Sequence, residues 1–157
     1  MPRTRGAANR SLYHANILLD SWDRARGSTP VPDEQLTAAF LPAVRQHLRD
    51  AYGWFLLSTA GVEEQAGTLR PASTADLPPP EPGRSAAPEL REFAQLESSG
   101  WIAELLSGNA DDPGSDHRTR VDLLGSDHAS PGFAVARRWA DDLAAIMQRM
   151  DDFRAEC

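Results

Sequence analysis

The feature that most constrains the fold is the spacing of the apolar residues, which recur at alternating steps of three and four along several segments. Such spacing places apolar side chains on one face of an α-helix, because a helical turn takes ~3.6 residues. The first segment runs from about Ala7 to Arg26, and Gly27 before Ser-Thr-Pro supplies its stop. Its apolar positions are Ala8, Leu12, Ala15, Leu19 and Trp22.

A second helix is predicted from Asp33, a good N-cap residue with a glutamate behind it, to Ala60, with Gly61 as its stop. Pro42 lies inside it, and an internal proline removes one backbone hydrogen bond, so we expect a kink or two abutting helices there. Near its end, residues 54–57 (WFLL) are apolar on every side. This predicts either the most buried turn of the protein or a surface that a partner covers.

A segment rich in proline and small residues follows over 62–87, with LPPPEPG at its centre. Consecutive prolines favour the extended polyproline conformation, so we expect a linker without helices. Such a linker can be a spacer or a ligand for the aromatic groove of a partner. We favour the spacer because it needs no partner.

Two short helices are predicted after the linker. The first begins near Pro88 and stops at the Ser-Ser-Gly triplet that ends at Gly100. The second, capped by one of these serines, carries Trp101 and stops near Gly108.

The last helix is predicted to have Ser130 as its cap and Pro131 in its first turn, with apolar positions as far as Phe153. We interpret its acidic pairs at 141–142 and 151–152 as a solvated face, because adjacent carboxylates on a helix point ~100° apart. The i,i+4 ion pairs predicted on this face are Arg137–Asp141 and Arg138–Asp142.

These patterns predict an all-α protein, a single domain over 1–157 built as an antiparallel bundle of about four to five helices. It includes a flexible tail over 1–6, the Pro-rich linker over 62–87 and an Asp- and Gly-rich loop over 108–130. Each principal helix carries one tryptophan on its apolar side, so these rings are expected to meet in the core. They are Trp22, Trp54, Trp101 and Trp139.

The N-terminal arginines precede every acidic residue of the chain; they are Arg3, Arg5 and Arg10. One interpretation is an arm that docks on an acidic partner or on the body of the protein. We favour a solvated tail, because chain ends are usually poorly ordered.

Composition excludes several classes of function. All 16 basic residues are arginine, and the absence of lysine excludes Schiff-base chemistry, pyridoxal-phosphate attachment and the phosphate-loop lysine. The net charge of −7 is expected to repel nucleic acid and anionic lipid.

The only cysteine is Cys157, no apolar run approaches the ~20 residues of a membrane span, and no signal sequence opens the chain. We therefore expect a cytoplasmic protein without a disulfide, a nucleic-acid partner or a membrane partner.

The tetrapeptide GSDH occurs twice, at 114–117 and 125–128, and forms the only cluster of aspartate and histidine. Residues 118–123 between the copies alternate in polarity, which is typical of a short strand. If this segment is extended, His117 and His128 lie up to ~36 Å apart, too far to share one ion. We favour two turns that bracket one strand.

A metal site in this segment would need two chains. Two copies paired antiparallel would place His117 of one beside His128 of the other. The hypothesis is a homodimer clamped by strand pairing, with zinc at each end. Its candidate ligands are Asp116, His117, Asp127 and His128.

No familiar catalytic spacing is found. The chain lacks the Glu-x-x-His pairs of di-metal bundles, the His-Glu-x-x-His of zinc proteases and the Gly-x-Ser-x-Gly of serine hydrolases. His47 projects from the apolar face of the second helix, where we favour a hydrogen-bonded core histidine over a buried base or ligand.

A resemblance is carried by four blocks of the chain: NRSLYHANILLDSW, QLTAAFLPAVRQHLRDAYGWFLL, LREFAQLESSGWIAELL and ARRWADDLAAIMQRMDDFRAEC. In order and spacing they are similar to an uncharacterised family of short all-helical bacterial proteins, a domain of unknown function. The resemblance covers most of the chain outside the linker and the GSDH segment. It implies a helical fold, and it implies no catalytic residues because that family has no assigned activity.

Two classes of function remain. We favour a non-catalytic interaction or regulatory module that contacts a protein partner or a second copy and needs no cofactor, because the catalytic spacings are missing. The alternative is a metal-dependent enzyme or metal-bridged dimer that uses His14, His47 or the Asp-His pairs.

Overall fold

The structure, a computed structural model, describes residues 3–63, 67–108 and 131–156. These three ranges contain five α-helices, one short 3₁₀ turn and no strand. The helices are α1 (Arg3–Ser28), α2 (Asp33–Thr59), α3 (Glu89–Ser99), α4 (Trp101–Ser107) and α5 (Phe133–Ala155). The predicted helical bundle is confirmed, whereas the strand predicted over 118–123 lies outside the described residues.

The core of the bundle lies between α1, α2 and α5. Helices α1 and α2 form an antiparallel hairpin, since His14 meets His47 and, further along α1, Trp22 meets Phe40. Helix α5 packs against both, α3 and α4 pack beside α2, and α4 also reaches α5. None of the helices described is long and apolar enough to cross a membrane. The largest fully buried side chains are Trp22, Trp139, Tyr52, Phe93, Leu19, Leu48, Leu56, Leu57, Ile102, Leu105, Leu143 and Met147.

Helix α2 is continuous through Pro42, which excludes two abutting helices. The helix ends at Thr59, one residue before the predicted end at Ala60, and the predicted stop Gly61 follows with a φ of 72°, a conformation that glycine adopts most readily because it has no Cβ. The N–H of Gly61 donates to the carbonyl of Ser58 (3.2 Å), and the N–H of Val62 donates to that of Leu57 (2.9 Å). This pair of bonds satisfies carbonyl groups that the helix end leaves without partners.

The all-apolar turn of α2 at 54–57 is buried within this chain. Phe55, Leu56 and Leu57 are at most 2% exposed, and Trp54 is half-buried. Of the two interpretations from the sequence, the most buried turn is confirmed, because α1, α5, α3 and the Pro-rich segment surround this part of α2.

The tryptophans do not form one cluster. Trp22 is buried between Phe40, 5.8 Å away by ring centroids, and Phe133, 5.3 Å away. Trp139 is also buried, but its ring lies beside Arg45 and Glu104, whereas the tryptophans of α2 and α4 are half-buried. No two tryptophan rings meet in the part of the chain that the structure describes.

The predicted flexible tail over 1–6 is wrong for residues 3–6, which form the first turn of α1. Arg5 is only 4% exposed. Its Nη2 donates to the carbonyl of Met147 (2.9 Å) and to the carboxylate of Asp151 (2.5 Å). The N-terminal arm therefore docks on the body of the protein, and the acidic pair at the end of α5 is not wholly solvated.

Helix α5 departs from prediction at both ends. It begins at Phe133, so Pro131 precedes the helix instead of occupying its first turn. Near the other end Phe153, predicted as an apolar position of the buried face, is 60% exposed.

The i,i+4 ion pairs predicted along α5 are also wrong. Arg137 pairs instead with Asp20 of α1 (2.8 Å), and Arg138 pairs with Glu104 of α4 (3.7 Å). Arginine four residues before aspartate is the weaker orientation within a helix, so carboxylates of neighbouring helices compete well for these side chains.

Candidate functional site

The ligands predicted from the GSDH repeats lie outside the described residues; they are Asp116, His117, Asp127 and His128. The zinc-clamped dimer that depends on them stays a prediction. Within 3–63, 67–108 and 131–156, no group of three or more His, Cys, Asp or Glu side chains is placed to hold a metal ion.

The two remaining histidines meet at the edge of the α1–α2 contact. The ring centroids of His14 and His47 are 5.3 Å apart, with the rings inclined at 71°. His14 is exposed and His47 is half-buried. Neither ring makes a hydrogen bond to another described residue. His47 is therefore not the hydrogen-bonded core histidine that the sequence favoured, because its position lies at the border of the apolar face.

A cleft of about 710 Å³ lies between the C-terminal end of α2, the Pro-rich segment and the start of α3. This volume falls within the ~300–1,000 Å³ that is common for ligand sites. The described residues that line it are Ala60, Gly61, Val62, Glu63, Thr68, Thr74, Leu77, Pro78, Pro79, Pro80, Glu81, Arg84, Ser85, Ala86, Ala87 and Leu90.

One side of the cleft is formed by lining residues within 74–81, which we call the Pro-rich wall. Glu97 of α3 holds this wall against the helices. Its Oε1 accepts a hydrogen bond from the hydroxyl of Tyr52 (2.7 Å) and one from the backbone N–H of Thr74 (2.8 Å). Its Oε2 accepts a third bond from the Thr74 hydroxyl (2.6 Å). One carboxylate thus joins α2, α3 and the wall, and bonds to an ionised acceptor are stronger than neutral ones.

Tyr52 acts in this network as a hydrogen-bond donor. Burial raises the pKa of Tyr52, and the hydrogen bond to Glu97 and its negative charge raise it further. The phenol therefore stays protonated around neutral pH. It cannot serve as a base, but it can hold the Glu97 carboxylate in place.

The segment before the wall lies directly on α2 at Gly53. A Cβ at this glycine would be 2.5 Å from the carbonyl oxygen of Pro71, which is itself buried. Next to it, the guanidinium of Arg70 pairs with Asp50 at 2.8 Å. Residues 70–77 are thus packed on the body, whereas the sequence favoured a spacer without such contacts.

Two arginines of α2 meet the end of α4. Arg49 donates to the carbonyl oxygens of Leu105 (3.2 Å) and Leu106 (2.9 Å), so a positive charge sits where a helix has its partial negative charge. Arg45 lies over the ring of Trp139, 5.2 Å from its centroid. Burial lowers the pKa of both guanidinium groups, and the charge of Arg49 lowers that of Arg45 further.

Sequence reasoning missed the roles of two residues that position the cleft, although it gave Leu96 or Glu97 as an inward-facing position of α3. Gly53 could have been noticed as a glycine inside a helix, which costs stability unless another chain segment approaches closely. Glu97 lies four residues after Phe93 on the apolar stripe of α3, where a carboxylate needs partners. The identity of those partners, Tyr52 and Thr74, had no signal in the sequence.

Comparisons of the chain with protein-family models, curated protein sequences and solved structures found no match. The resemblance to a helical family of unknown function stays a prediction. What the protein does must therefore be inferred from the chemistry of its described residues.

Proposed function

We propose that this protein is a non-catalytic helical module that binds a protein partner in the cleft between α2 and the Pro-rich segment. The observation that carries this proposal is the attachment of the Pro-rich wall to Glu97 by two hydrogen bonds from Thr74, while the same carboxylate also accepts one from Tyr52 of α2. A surface that is ordered before association loses less conformational entropy when its partner binds.

The described lining of the cleft supports binding rather than catalysis. It contains hydroxyl groups but no histidine, cysteine or lysine that could serve as nucleophile or base. Its charged side chains are Glu63, Glu81 and Arg84, and the last two face each other at 3.7 Å.

The chemistry of the wall indicates what kind of partner fits. Pro78, Pro79 and Pro80 are successive, and proline offers a carbonyl acceptor but no N–H donor. A partner segment with outward-facing N–H or guanidinium groups complements such a wall. The net charge of −7 further favours a basic segment over an acidic one.

Quantitative affinity capture with the full chain tests the proposal. Ser85→Trp places a large side chain at an exposed position of the cleft wall. Ser28→Trp is the matched control, because Ser28 is exposed at the opposite end of the α1–α2 hairpin. Circular dichroism verifies that both variants remain helical.

We expect a protein that the wild-type chain and Ser28→Trp capture equally and that Ser85→Trp does not. Titration calorimetry with this purified protein should reproduce the difference. Equal capture by Ser85→Trp, or a captured protein that does not bind in the purified system, contradicts the proposal.

A further inference from the structure

The contact between His14 and His47 joins two helices that are fixed by their own packing. His14 is one residue away from the buried Ala15 of α1, and His47 is next to the buried Leu48 of α2. These neighbours fix the two backbones relative to each other. Sites carried by packed helices are more sharply positioned than sites on loops.

The separation of the two rings suits a shared metal ion. Zinc binds imidazole nitrogen at ~2.0–2.1 Å in a tetrahedral arrangement, which places the centroids of two ligated rings ~5 Å apart. The observed centroid distance is 5.3 Å. The exposed His14 ring can turn about its side-chain bonds to direct a nitrogen toward the same point as His47.

Both imidazoles are available for this role within the described structure. Neither makes a hydrogen bond to another described residue, so no such bond has to be broken when a metal binds. Asp50, on the next turn after His47, is engaged elsewhere: it accepts from Gln46 (2.7 Å) and pairs with Arg70 (2.8 Å). The arrangement therefore offers two nitrogen ligands and leaves other coordination positions to water.

The ligand type selects the class of ion. Imidazole nitrogen binds zinc, nickel and copper well, whereas calcium and magnesium require oxygen ligands. We propose that His14 and His47 form a two-imidazole binding site for a divalent transition-metal ion. This site differs from the Asp-His hypothesis in every ligand, and it does not depend on the cleft.

Calorimetric titration of the full chain with zinc chloride tests the site. We expect one ion per chain, with His14→Ala and His47→Ala each weakening the affinity at least ~10-fold, since even residues behind the ligands contribute ~10–100-fold. The matched control is the double variant His117→Ala/His128→Ala, which removes the other two histidines and should bind as the wild type does. His47→Gln provides a second test, because it preserves more of the half-buried side chain than alanine.

Copper(II) provides a readout that a structural role of the histidines would not change. Its electron paramagnetic resonance spectrum should show hyperfine coupling to two nitrogens in the wild type and to fewer in His14→Ala. Absence of zinc binding by the wild type overturns the proposal. Unchanged affinity in both single variants, or loss of binding only when His117 and His128 are replaced, overturns it as well.

Discussion

Arg5 near the start of α1 donates to the carboxylate of Asp151 near the end of α5 across 2.5 Å, although 146 positions separate them in the sequence. The side chain of Arg5 is 5% exposed and that of Asp151 is 36% exposed. Arg5 also lies over the ring of Phe55, 5.3 Å from its centroid. The charge of a buried guanidinium thus has one carboxylate partner among the described residues, and that partner fixes the N-terminal turn to α5.

Asp151→Asn should destabilise the protein because it leaves the buried Arg5 charge without its partner. Nε and Nη1 of Arg5 already lack hydrogen-bond partners in the described structure. We expect the free energy of unfolding in urea to fall by ~2 kcal/mol, less than for a fully buried pair because Asp151 is partly exposed. Asp152→Asn, at the exposed neighbour, is the control and should change it by no more than ~0.5 kcal/mol. If both substitutions change the free energy of unfolding equally, the Arg5–Asp151 pair makes no specific contribution to stability.

Glu97→Ala should release the Pro-rich wall and leave the Tyr52 hydroxyl buried without an acceptor. An unsatisfied buried polar group costs ~1–3 kcal/mol, which is the expected loss in the free energy of unfolding. Amide hydrogen exchange followed by mass spectrometry should show faster exchange over 70–77 in this variant. Glu92→Ala removes an exposed carboxylate from the same helix and serves as the control. Unchanged exchange over 70–77 in Glu97→Ala would contradict the role of Glu97.

Tyr52 should make the stability depend on pH in the alkaline range. The unfolded chain ionises tyrosine near pH ~10, whereas the raised pKa keeps Tyr52 protonated in the folded state. The contribution of Tyr52 to the free energy of unfolding is thus fully present below pH ~10 and is lost as the pH rises above this value. We expect the free energy of unfolding to fall less steeply above pH ~10 in Tyr52→Phe than in the wild type. Tyr13→Phe, at a position 65% exposed, should keep the wild-type slope; identical slopes in all three proteins would refute the prediction.

Gly53→Ala should destabilise α2 although alanine is the better helix former. The added methyl group would meet the carbonyl oxygen of Pro71 at 2.5 Å, so the covering segment must move. Gly6→Ala is the matched control in α1, because a Cβ there meets nothing within 4 Å. The control should gain ~0.5–1 kcal/mol from helix propensity alone. Thermal unfolding compares the two, and a Gly53→Ala protein as stable as Gly6→Ala would rule out the close approach.

The sequence determined the helices because helix formation is a local property. Periodicity and the stop residue Gly61 lie within a few residues of what they control, so α1 and α2 could be predicted closely at their C-terminal ends, although α1 continues through the predicted stop Gly27 and ends at Ser28. The break at Gly100 between α3 and α4 was visible for the same reason. The assignment of one buried face to each long helix also followed from local spacing.

Only the tertiary structure decided which side chains meet. The pairs His14–His47 and Arg5–Asp151 depend on how the helices are packed and on their register. A shift of one helical turn would separate each pair without changing any local pattern. The same holds for Glu97, whose carboxylate gains its function only when the fold brings a buried phenol and a loop amide to it. Local patterns specify which face of a helix is buried, but the packing of distant segments creates the sites.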